Sequence, residues 1–456
     1  MTEINPSATA TQLATAYTQD IQSLLNTQSK GVKATSTALG KLQTALQTFD
    51  SALAGLSGKK TVLQYSATFS AAGFGTATAA AGAQPGTYSV FVEQVASAHQ
   101  MAFQNLPAVP VAAAGILKVQ LAGGASFNVD LTTADADGNG SLSQSETARA
   151  INLAAGNGGQ VSAMLATVGG QTQLILSAAS TGAAGKITLD TSLLPASPLK
   201  AAFDAGTQIA PAQDAIVWLG PQGTGLKLQQ AGNTFTAIPG VSMTVTQAMA
   251  GGASPLTLTV AGDDSGTAAN VRSFVDAYNA MNQTLKQLTD AGSAADGKEP
   301  GAFASDAGVR ALQSRINALV HQVQGGLRLM DFGISIDRYG NMALDQTKLQ
   351  KAIAAHPGGL DTLFGSTGVT TSSGVMGSLD KYLNAWLDSG TGQIKRRQDT
   401  VQNIQKAIAA RQTRLDDQYA RSYQRYLIQF TKLQQLQSQM AQTTGMFASL
   451  SSNQGN

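Results

Sequence analysis

The chain contains no cysteine and has few charged and few aromatic residues. Without cysteine it can form no disulfide framework, thiolate metal site or iron–sulfur cluster, and it has no cysteine nucleophile. Only 12% of its 456 residues are charged, and 29 Lys and Arg nearly balance 27 Asp and Glu. The net charge of +2 therefore gives no overall attraction to nucleic acid or to an anionic membrane surface.

Long hydrophobic runs are also absent. The best apolar window, AVPVAAAGIL at 108–117, is about half as long as the roughly 20 residues of a membrane span. The first residues, MTEINPSATATQ, have neither the basic start nor the apolar stretch of a cleaved secretory signal. We therefore expect no membrane span, and any export would use a route without a cleaved signal peptide.

Residues that could form a catalytic centre are scattered. The three histidines, His99, His321 and His356, lie in stretches of different character, so neither a catalytic triad nor a histidine zinc site is indicated. The Gly-rich stretches lack the Lys-Ser/Thr of a phosphate-binding loop, and no pair of carboxylates stands out as in a polysaccharide-cleaving enzyme. The sequence therefore predicts a protein that is not an enzyme and requires no cofactor.

Apolar residues at heptad spacing occupy both ends of the chain, over 11–57 and 393–450, and predict coiled-coil helices. One heptad position continues for five repeats at each end. These positions are Leu25, Val32, Leu39, Leu46 and Leu53 at the first end, and Tyr419, Tyr426, Leu433, Met440 and Phe447 at the second. Both ends therefore need helical partners.

Two interpretations of these helices stay open. The two ends can simply form an antiparallel pair within one subunit. Alternatively, the pair is incomplete on its own and becomes ordered in an assembly, because the polar residues Ser422, Gln429 and Thr443 interrupt the second seam. The basic residues over 395–425 are diluted by acidic ones and favour a solvated or helix-pairing face over a nucleic-acid patch.

The middle of the chain has a different texture. Over 62–262 it consists of short apolar runs between Gly, Pro, Thr and Asn turns, such as TYSVFVEQV at 87–95, and predicts half-buried antiparallel strands. A second helical zone follows over 267–355 and contains a hairpin at 334–345. Asp345 is the expected N-cap of the next helix. The expected fold class is α+β and multidomain: a terminal α-helical coiled coil, a helical domain and inserted antiparallel β-rich domains.

One motif matches a metal-binding pattern. The segment DADGNGSLSQSE at 135–146 fits the twelve-residue calcium loop, with Gly140 at its sharp turn. The ligand positions are Asp135, Asp137, Asn139, Ser141, Ser143 and Glu146. The alternative is an ordinary acidic turn in which Ser143 and Glu146 form a capping box for the following helix. A calcium ion here would be structural, with no catalytic role.

Several segments, in the same order, resemble the filament-capping flagellar hook-associated (FliD) family. The family's usual glycine-containing start is replaced by MTEINPSATATQLATAYTQDI. The segments that carry the resemblance are GTYSVFVEQVASAHQMA at 86–102, ARAIN at 148–152 with the strand pair after it, 233–289, FGISIDRYGNMALDQTKLQKAIAAHPGGLDTLFG at 332–365 and YQRYLIQFTKLQQLQSQM at 423–440.

This resemblance implies a secreted, non-enzymatic protein of the bacterial flagellum. It would be exported without a cleaved signal peptide and form a homo-oligomeric ring at the filament tip. There it would guide flagellin insertion, with hook–filament junction proteins and a flagellar export chaperone as further partners. The implied domains are a terminal coiled coil (1–40 with 410–456), a helical leg (41–75 with 265–409) and an inserted β-rich head of two subdomains (76–264).

Two other functions compete with this one. The chain could be an extracellular adhesin or surface-binding module whose coils only anchor it, and a cap protein could itself also bind surfaces. Deletion of residues 393–456 distinguishes these two functions. Arrested filaments with flagellin in the medium would indicate the cap, whereas normal filaments with poor surface binding would indicate the adhesin. A polysaccharide-active enzyme is the third class, and the scattered carboxylates argue against it.

Overall fold

The structure, a computed structural model, describes residues 5–59, 61–367 and 372–452. The chain divides into two compact units. The first, here called the helical unit, comprises Met1–Val62 and Ala268–Asn456, and the second, the β unit, comprises Leu63–Thr267. The expected α+β class with long terminal helices and inserted antiparallel sheets is confirmed.

The bounds of the elements are as follows. The helices of the described residues are α1 (Pro6–Ser57), α2 (Gln144–Leu153), α3 (Pro198–Asp204), α4 (Asp264–Thr289), α5 (Ala307–Val320), α6 (Gln346–Ala355), α7 (Gly359–Phe364), α8 (Gly374–Leu387) and α9 (Gln393–Ser452). The strands are β1 (Tyr65–Phe69), β2 (Gly75–Ala79), β3 (Gly86–Gln94), β4 (Ala98–Gln104), β5 (Val109–Pro110), β6 (Ile116–Leu121), β7 (Ser126–Asp130), β8 (Ser141–Leu142), β9 (Val161–Val168), β10 (Gln171–Thr181), β11 (Ile187–Asp190), β12 (Thr207–Ala210), β13 (Ala215–Leu219), β14 (Leu226–Gln230), β15 (Thr234–Phe235), β16 (Val241–Val245), β17 (Leu256–Gly262), β18 (Ile334–Ile336) and β19 (Met342–Leu344).

The division into units differs from the expected boundary after residue 75. Strand β1 pairs antiparallel with β17 and so belongs to the β unit, although the leg was expected to extend through it. The separation of a terminal coiled coil from a leg inside the helical unit stays a prediction. Of the residues assigned to those two domains, 1–4, 60, 368–371 and 453–456 lie outside the described residues.

Local sequence signals explain where the helices of this unit begin. The Asn5 side chain accepts a hydrogen bond from the Ala8 amide at 3.1 Å, and proline follows at the first helical position of α1. The predicted cap at Asp345 is confirmed, since its carboxylate accepts from the Lys348 amide at 3.0 Å. The predicted hairpin is present as β18 and β19, and Gly340 in its turn has a φ of 76°.

Aromatic side chains hold the core of the helical unit together. Phe49 of α1 is fully buried, with its ring centroid 6.1 Å from Phe274 and 6.2 Å from Tyr278, both on α4. Phe274 in turn meets Phe364 of α7 edge-on at 5.1 Å. These rings fix the second half of α1 against α4, so the heptad positions after Leu39 bury their side chains in a multi-helix core.

An acidic pair lies within this helical packing. Asp50 of α1 is half-buried, and its Oδ1 is buried without a hydrogen-bond partner among the described residues. Burial raises the pKa of the Asp50 carboxyl above 3.8, and the nearby Asp380 charge raises it further. Burial also raises the pKa of Asp380. The charged form of Asp50 therefore destabilises the folded helical unit.

We expect Asp50→Asn to stabilise the helical unit at pH 7 by about 0.5–1 kcal/mol, a discounted figure because the carboxyl is only half-buried. Because the pKa of Asp50 is higher in the folded chain than in the unfolded chain, the protonated carboxyl favours folding. This contribution to stability is present below pH 3.8 and is lost as the pH rises through the folded pKa. Urea denaturation at pH 7 and pH 3 measures this, and the gain should vanish at pH 3. Asp20→Asn, exposed on the same helix, is the control, and an equal gain there would refute the explanation.

The β unit has two hydrophobic cores. One lies under the sheet ordered β1-β17-β3-β13-β14 and the sheet β15-β16-β2, and includes Val90, Val217 and Leu258. The other gathers side chains from the sheets β12-β4-β10-β9 and β11-β6-β7 with helix α2, and includes Phe103 and Leu174. Every strand pair in these sheets is antiparallel, as the alternating pattern predicted.

Candidate assembly surface

The two terminal helices pair antiparallel within the subunit. Three polar contacts set their register: Gln43 with Gln398 at 2.8 Å, Gln22 with Gln412 at 2.8 and 3.1 Å, and Ser7 with Tyr423 at 3.3 Å. The glutamines that flank the seam therefore hold the two helices in a defined register. The structure shows the intramolecular pair that was one of the two interpretations.

Four of the five predicted seam residues on α1 are buried. Leu25, Leu39, Leu46 and Leu53 are at most 3% exposed, whereas Val32 is half-buried. Farther toward the start of α1, small residues such as Ala10 and Ala14 occupy the buried face. Small side chains contribute little apolar area there, so this end of the pair is held more weakly than the aromatic core.

Helix α9 continues well past the first turn of α1. The Ser7–Tyr423 contact places the start of α1 beside Tyr423, and α9 runs on to Ser452. We call residues 424–452 the α9 extension, and at 1.5 Å per residue it is about 40 Å long. Among the side chains described, the last buried one on α9 is Ser422.

The α9 extension exposes the apolar side chains that the heptads predicted. Leu433 is 38% exposed, Met440 59% and Phe447 68%, whereas Tyr419 and Tyr426 are half-buried. At 3.6 residues per turn, the first three lie on one face of the helix. Leu436, also exposed, joins this face. The seam predicted for the second end is thus covered only where α1 runs beside it.

A second exposed stripe lies on α1 and was missed by the sequence analysis. Leu13, Tyr17, Ile21 and Leu24 follow spacings of four, four and three and are 38–60% exposed. The i, i+4 spacing was the available signal. The sequence analysis followed large apolar residues at heptad spacing and missed this stripe. The buried face beside it consists of small residues such as Ala10 and Ala14, whose low hydropathy gives a weak heptad signal.

Several basic residues of α9 have partners within the helical unit. Arg397 forms a bidentate pair with Asp306, the N-cap of α5, and lies over the Trp386 ring, and Lys395 pairs with Asp399. The Arg397 guanidinium holds the pKa of Asp306 below its ordinary value. These contacts fit a helix-pairing face, as the sequence predicted.

The acidic loop of the β unit closes on its own hydrogen bonds. Asp135 accepts from the Gly138 and Gly140 amides at 2.8 Å each. Glu146 accepts from the amides of Ala136 at 2.7 Å and Ser143 at 2.9 Å, and forms the capping box with Ser143. The alternative interpretation, a capping box, is therefore confirmed.

Calcium binding at this loop stays a prediction. Carboxylate oxygens of Asp135, Asp137 and Glu146 lie within 4.8 Å of one another, which is close enough to share one cation. Asn139, Ser141 and Ser143 complete the predicted ligand positions; Asn139 Oδ1 accepts from the Ser141 amide at 2.8 Å. Thermal unfolding in calcium and in excess chelator measures the effect of the ion, and equal midpoints would contradict the prediction.

Glu146 itself stabilises the β unit, and we expect Glu146→Gln to lower the free energy of unfolding of this unit at pH 7. Hydrogen bonds from Ser143, Ala136 and Asp137 to the carboxylate lower its pKa from 4.5 to about 2. Because the pKa of Glu146 is lower in the folded chain than its ordinary value of 4.5, the ionised carboxylate favours folding above pH 4.5. This contribution to stability is lost as the pH falls from 4.5 toward 2. Urea denaturation against pH measures it, with Asp264→Asn, an exposed carboxylate of the same unit, as the control. A variant as stable as the parent at pH 7 would contradict the assignment.

The three histidines belong to different parts of the fold, His99 to the β unit and His321 and His356 to the helical unit. His99 is 2% exposed; its Nδ1 accepts from the Ile187 amide at 3.0 Å and its Nε2 lies 3.2 Å from Gln208 Oε1. His99 is thus a hydrogen-bonded core residue of the β unit. Among the helices of the described residues, none combines the length and the hydropathy needed to cross a bilayer.

Comparison with known proteins gives a consistent result over most of the chain. The family model of the flagellar hook-associated protein 2 C-terminus matches residues 212–442, and that of its N-terminus matches residues 2–99. The N-terminal match includes the start that lacks the family's usual glycine signature.

Relatives and solved structures agree with these matches. The lateral flagellar hook-associated protein 2 of Vibrio parahaemolyticus is 36% identical over 391 residues, 84% of this chain and 86% of the relative. The B-type flagellar hook-associated protein 2 of Pseudomonas aeruginosa is 29% identical over 89% of this chain and 86% of its own length. The fold resembles the D1-D2-D3 domains of the Escherichia coli flagellar cap protein FliD, with a TM-score of 0.61 at 24% identity over 80% of this chain and 99% of that chain. The chain therefore belongs to the flagellar hook-associated protein 2 (FliD) family.

Proposed function

We propose that this protein caps the distal end of a flagellar filament and guides the insertion of flagellin subunits there. The observation that carries the proposal is the exposed apolar face of the α9 extension, in a chain whose family is that of the flagellar cap. Soluble monomers rarely expose such a continuous apolar face without a partner. A filament end built of helices would supply that partner.

The two terminal helices suit repeated rearrangement. Their pairing near the start of α1 rests on small residues and on a few polar contacts between exposed or half-buried side chains. Such contacts can be broken and remade at modest free-energy cost, whereas the aromatic core and the sheets hold the rest of each unit. The protein would thus act by binding and release, without catalysis.

Several partners follow from this role. Copies of the chain would form a ring at the tip, and flagellin would be the protein guided. Hook–filament junction proteins and an export chaperone would be met earlier, and the protein would work outside the cell after export without a cleaved signal peptide. The family membership and the uncovered helix faces support these assignments.

Truncation after Tyr423 tests the proposal. In the bacterium that encodes the chain, with its own gene deleted, we expect the full chain to restore filaments. The truncated chain, which keeps the pairing contacts of α1, should give none and should release unpolymerised flagellin into the medium. Detecting the truncated protein itself in the medium controls for export. Filaments of normal length would contradict the proposal, and normal filaments with poor surface binding would indicate an adhesin.

A further inference from the structure

A polar cavity lies in the helical unit between α4, α5 and the turn of the β18–β19 hairpin. Its volume is about 230 Å³. Met281, Leu285 and Ile316, each at most 2% exposed, form an apolar wall, and the remaining lining is largely polar. None of its lining residues belongs to the α9 extension or to the acidic loop, and the proposed cap role makes no use of it.

The Tyr278 side chain lines this cavity and has an unused hydroxyl. Tyr278 is only 2% exposed as a residue, and its hydroxyl has no hydrogen-bond partner among the described residues, but this oxygen is not fully buried and so remains reachable from the cavity. Burial raises the pKa of Tyr278 to about 12, so the hydroxyl stays protonated at neutral pH and can donate. An anion that enters the cavity can accept a hydrogen bond from this hydroxyl.

The charge around the cavity has one sign. Arg338 lines it, with its guanidinium over the Tyr339 ring at 4.7 Å and Nη2 donating to the Tyr339 hydroxyl at 2.6 Å. No Asp or Glu lines the cavity, and Arg338 has no ion pair among the described residues. The adjacent Asp337 is occupied in closing the turn, where it accepts from the Tyr339 and Asn341 amides at 2.8 Å each. The guanidinium is thus preset for an anion.

We propose that this cavity binds a carboxylate carried on a short aliphatic stem, as in a glutamate side chain. Arg338 would pair with the carboxylate, Tyr278 would donate a hydrogen bond to it, and the apolar wall would contact the methylene groups. A single guanidinium with neutral donors matches one negative charge better than the two charges of a phosphate. The carboxylate could belong to a protein partner or to a free small acid.

Titration calorimetry with the full chain tests the site. The probes are glutarate as a free acid, N-acetyl-glutamate N-methylamide as a blocked residue, and the corresponding glutamine compound as a neutral control. We expect saturable binding of at least one acid and none of the glutamine compound. Binding of the blocked glutamate at least as tight as that of glutarate would identify a protein side chain as the source. Binding of glutarate alone would identify a free acid.

Two variants and a matched control connect binding to the named groups. We expect Arg338→Gln to weaken binding at least tenfold and Tyr278→Phe about threefold or more. Arg315→Gln on α5, an exposed arginine outside the cavity, should leave it unchanged. Tyr278→Phe removes only an unpartnered hydroxyl, so its thermal unfolding should match that of the parent chain. Failure of both acids to bind, or equal affinity in all three variants, would overturn the proposal.

Discussion

Replacing Leu433, Leu436 and Met440 together by aspartate is expected to leave the subunit folded and to abolish filament growth. All three side chains are exposed in the free chain, so the change removes no core contact. In an assembly each would bury an apolar side chain worth about 1.5–3 kcal/mol, and an aspartate there would bury an unpaired charge. Circular dichroism of the purified variant and filament counts in the complemented strain measure the two effects.

The α9 extension offers a matched control on its opposite face. Thr431→Asp, Gln435→Asp and Ser438→Asp add the same three charges about half a turn away around the same helix. We expect this variant to retain most filament growth. Equal loss in both variants would mean that added charge, and not the loss of the apolar face, is responsible.

The second large effect concerns the core of the helical unit. We expect Phe49→Ala to lower its free energy of unfolding by about 3–5 kcal/mol, because the ring is fully buried between Phe274 and Tyr278 and its removal leaves a cavity. The transition of this unit in urea, followed separately from that of the β unit, measures the loss. Tyr17→Ala, exposed on the same helix, should change stability by less than about 0.5 kcal/mol. A loss below about 1 kcal/mol in Phe49→Ala would contradict the assigned core.

The heptad and alternation patterns predicted which segments form helices and strands, but they did not predict which other elements these segments pack against. Leu39 and Leu46 were predicted as buried helix residues, and they are, but the spacing alone gave no indication that they pack into a multi-helix core as well as against α9. In the β unit, β1 pairs with β17, almost 200 residues later. Alternation within one strand shows which face is buried and contains no information about the neighbouring strand. For this reason the expected boundary after residue 75 differs from the start of the β unit at Leu63.

The candidate assembly surface could be predicted only in part, because local patterns do not specify tertiary neighbours. Leu433, Met440 and Phe447 were identified by their spacing, but their exposure depends on where α1 begins, which is a tertiary fact. At the acidic loop, the same residues satisfy a calcium pattern and a capping box, because both need an acidic side chain that accepts backbone amides near a helix start. The polar cavity beside Tyr278 depends on residues from α4, α5 and a hairpin turn, which no local pattern brings together.

Hydrogen exchange of the α9 extension tests the central claim most directly. In the purified subunit, amides over 428–448 should exchange quickly, while those around Phe49 and Phe274 stay protected. In isolated filaments that carry the cap, the same 428–448 amides should exchange at least a hundredfold more slowly. Equal exchange in subunit and capped filament, or full protection in the free subunit, would show that this helix needs no partner from the polymer.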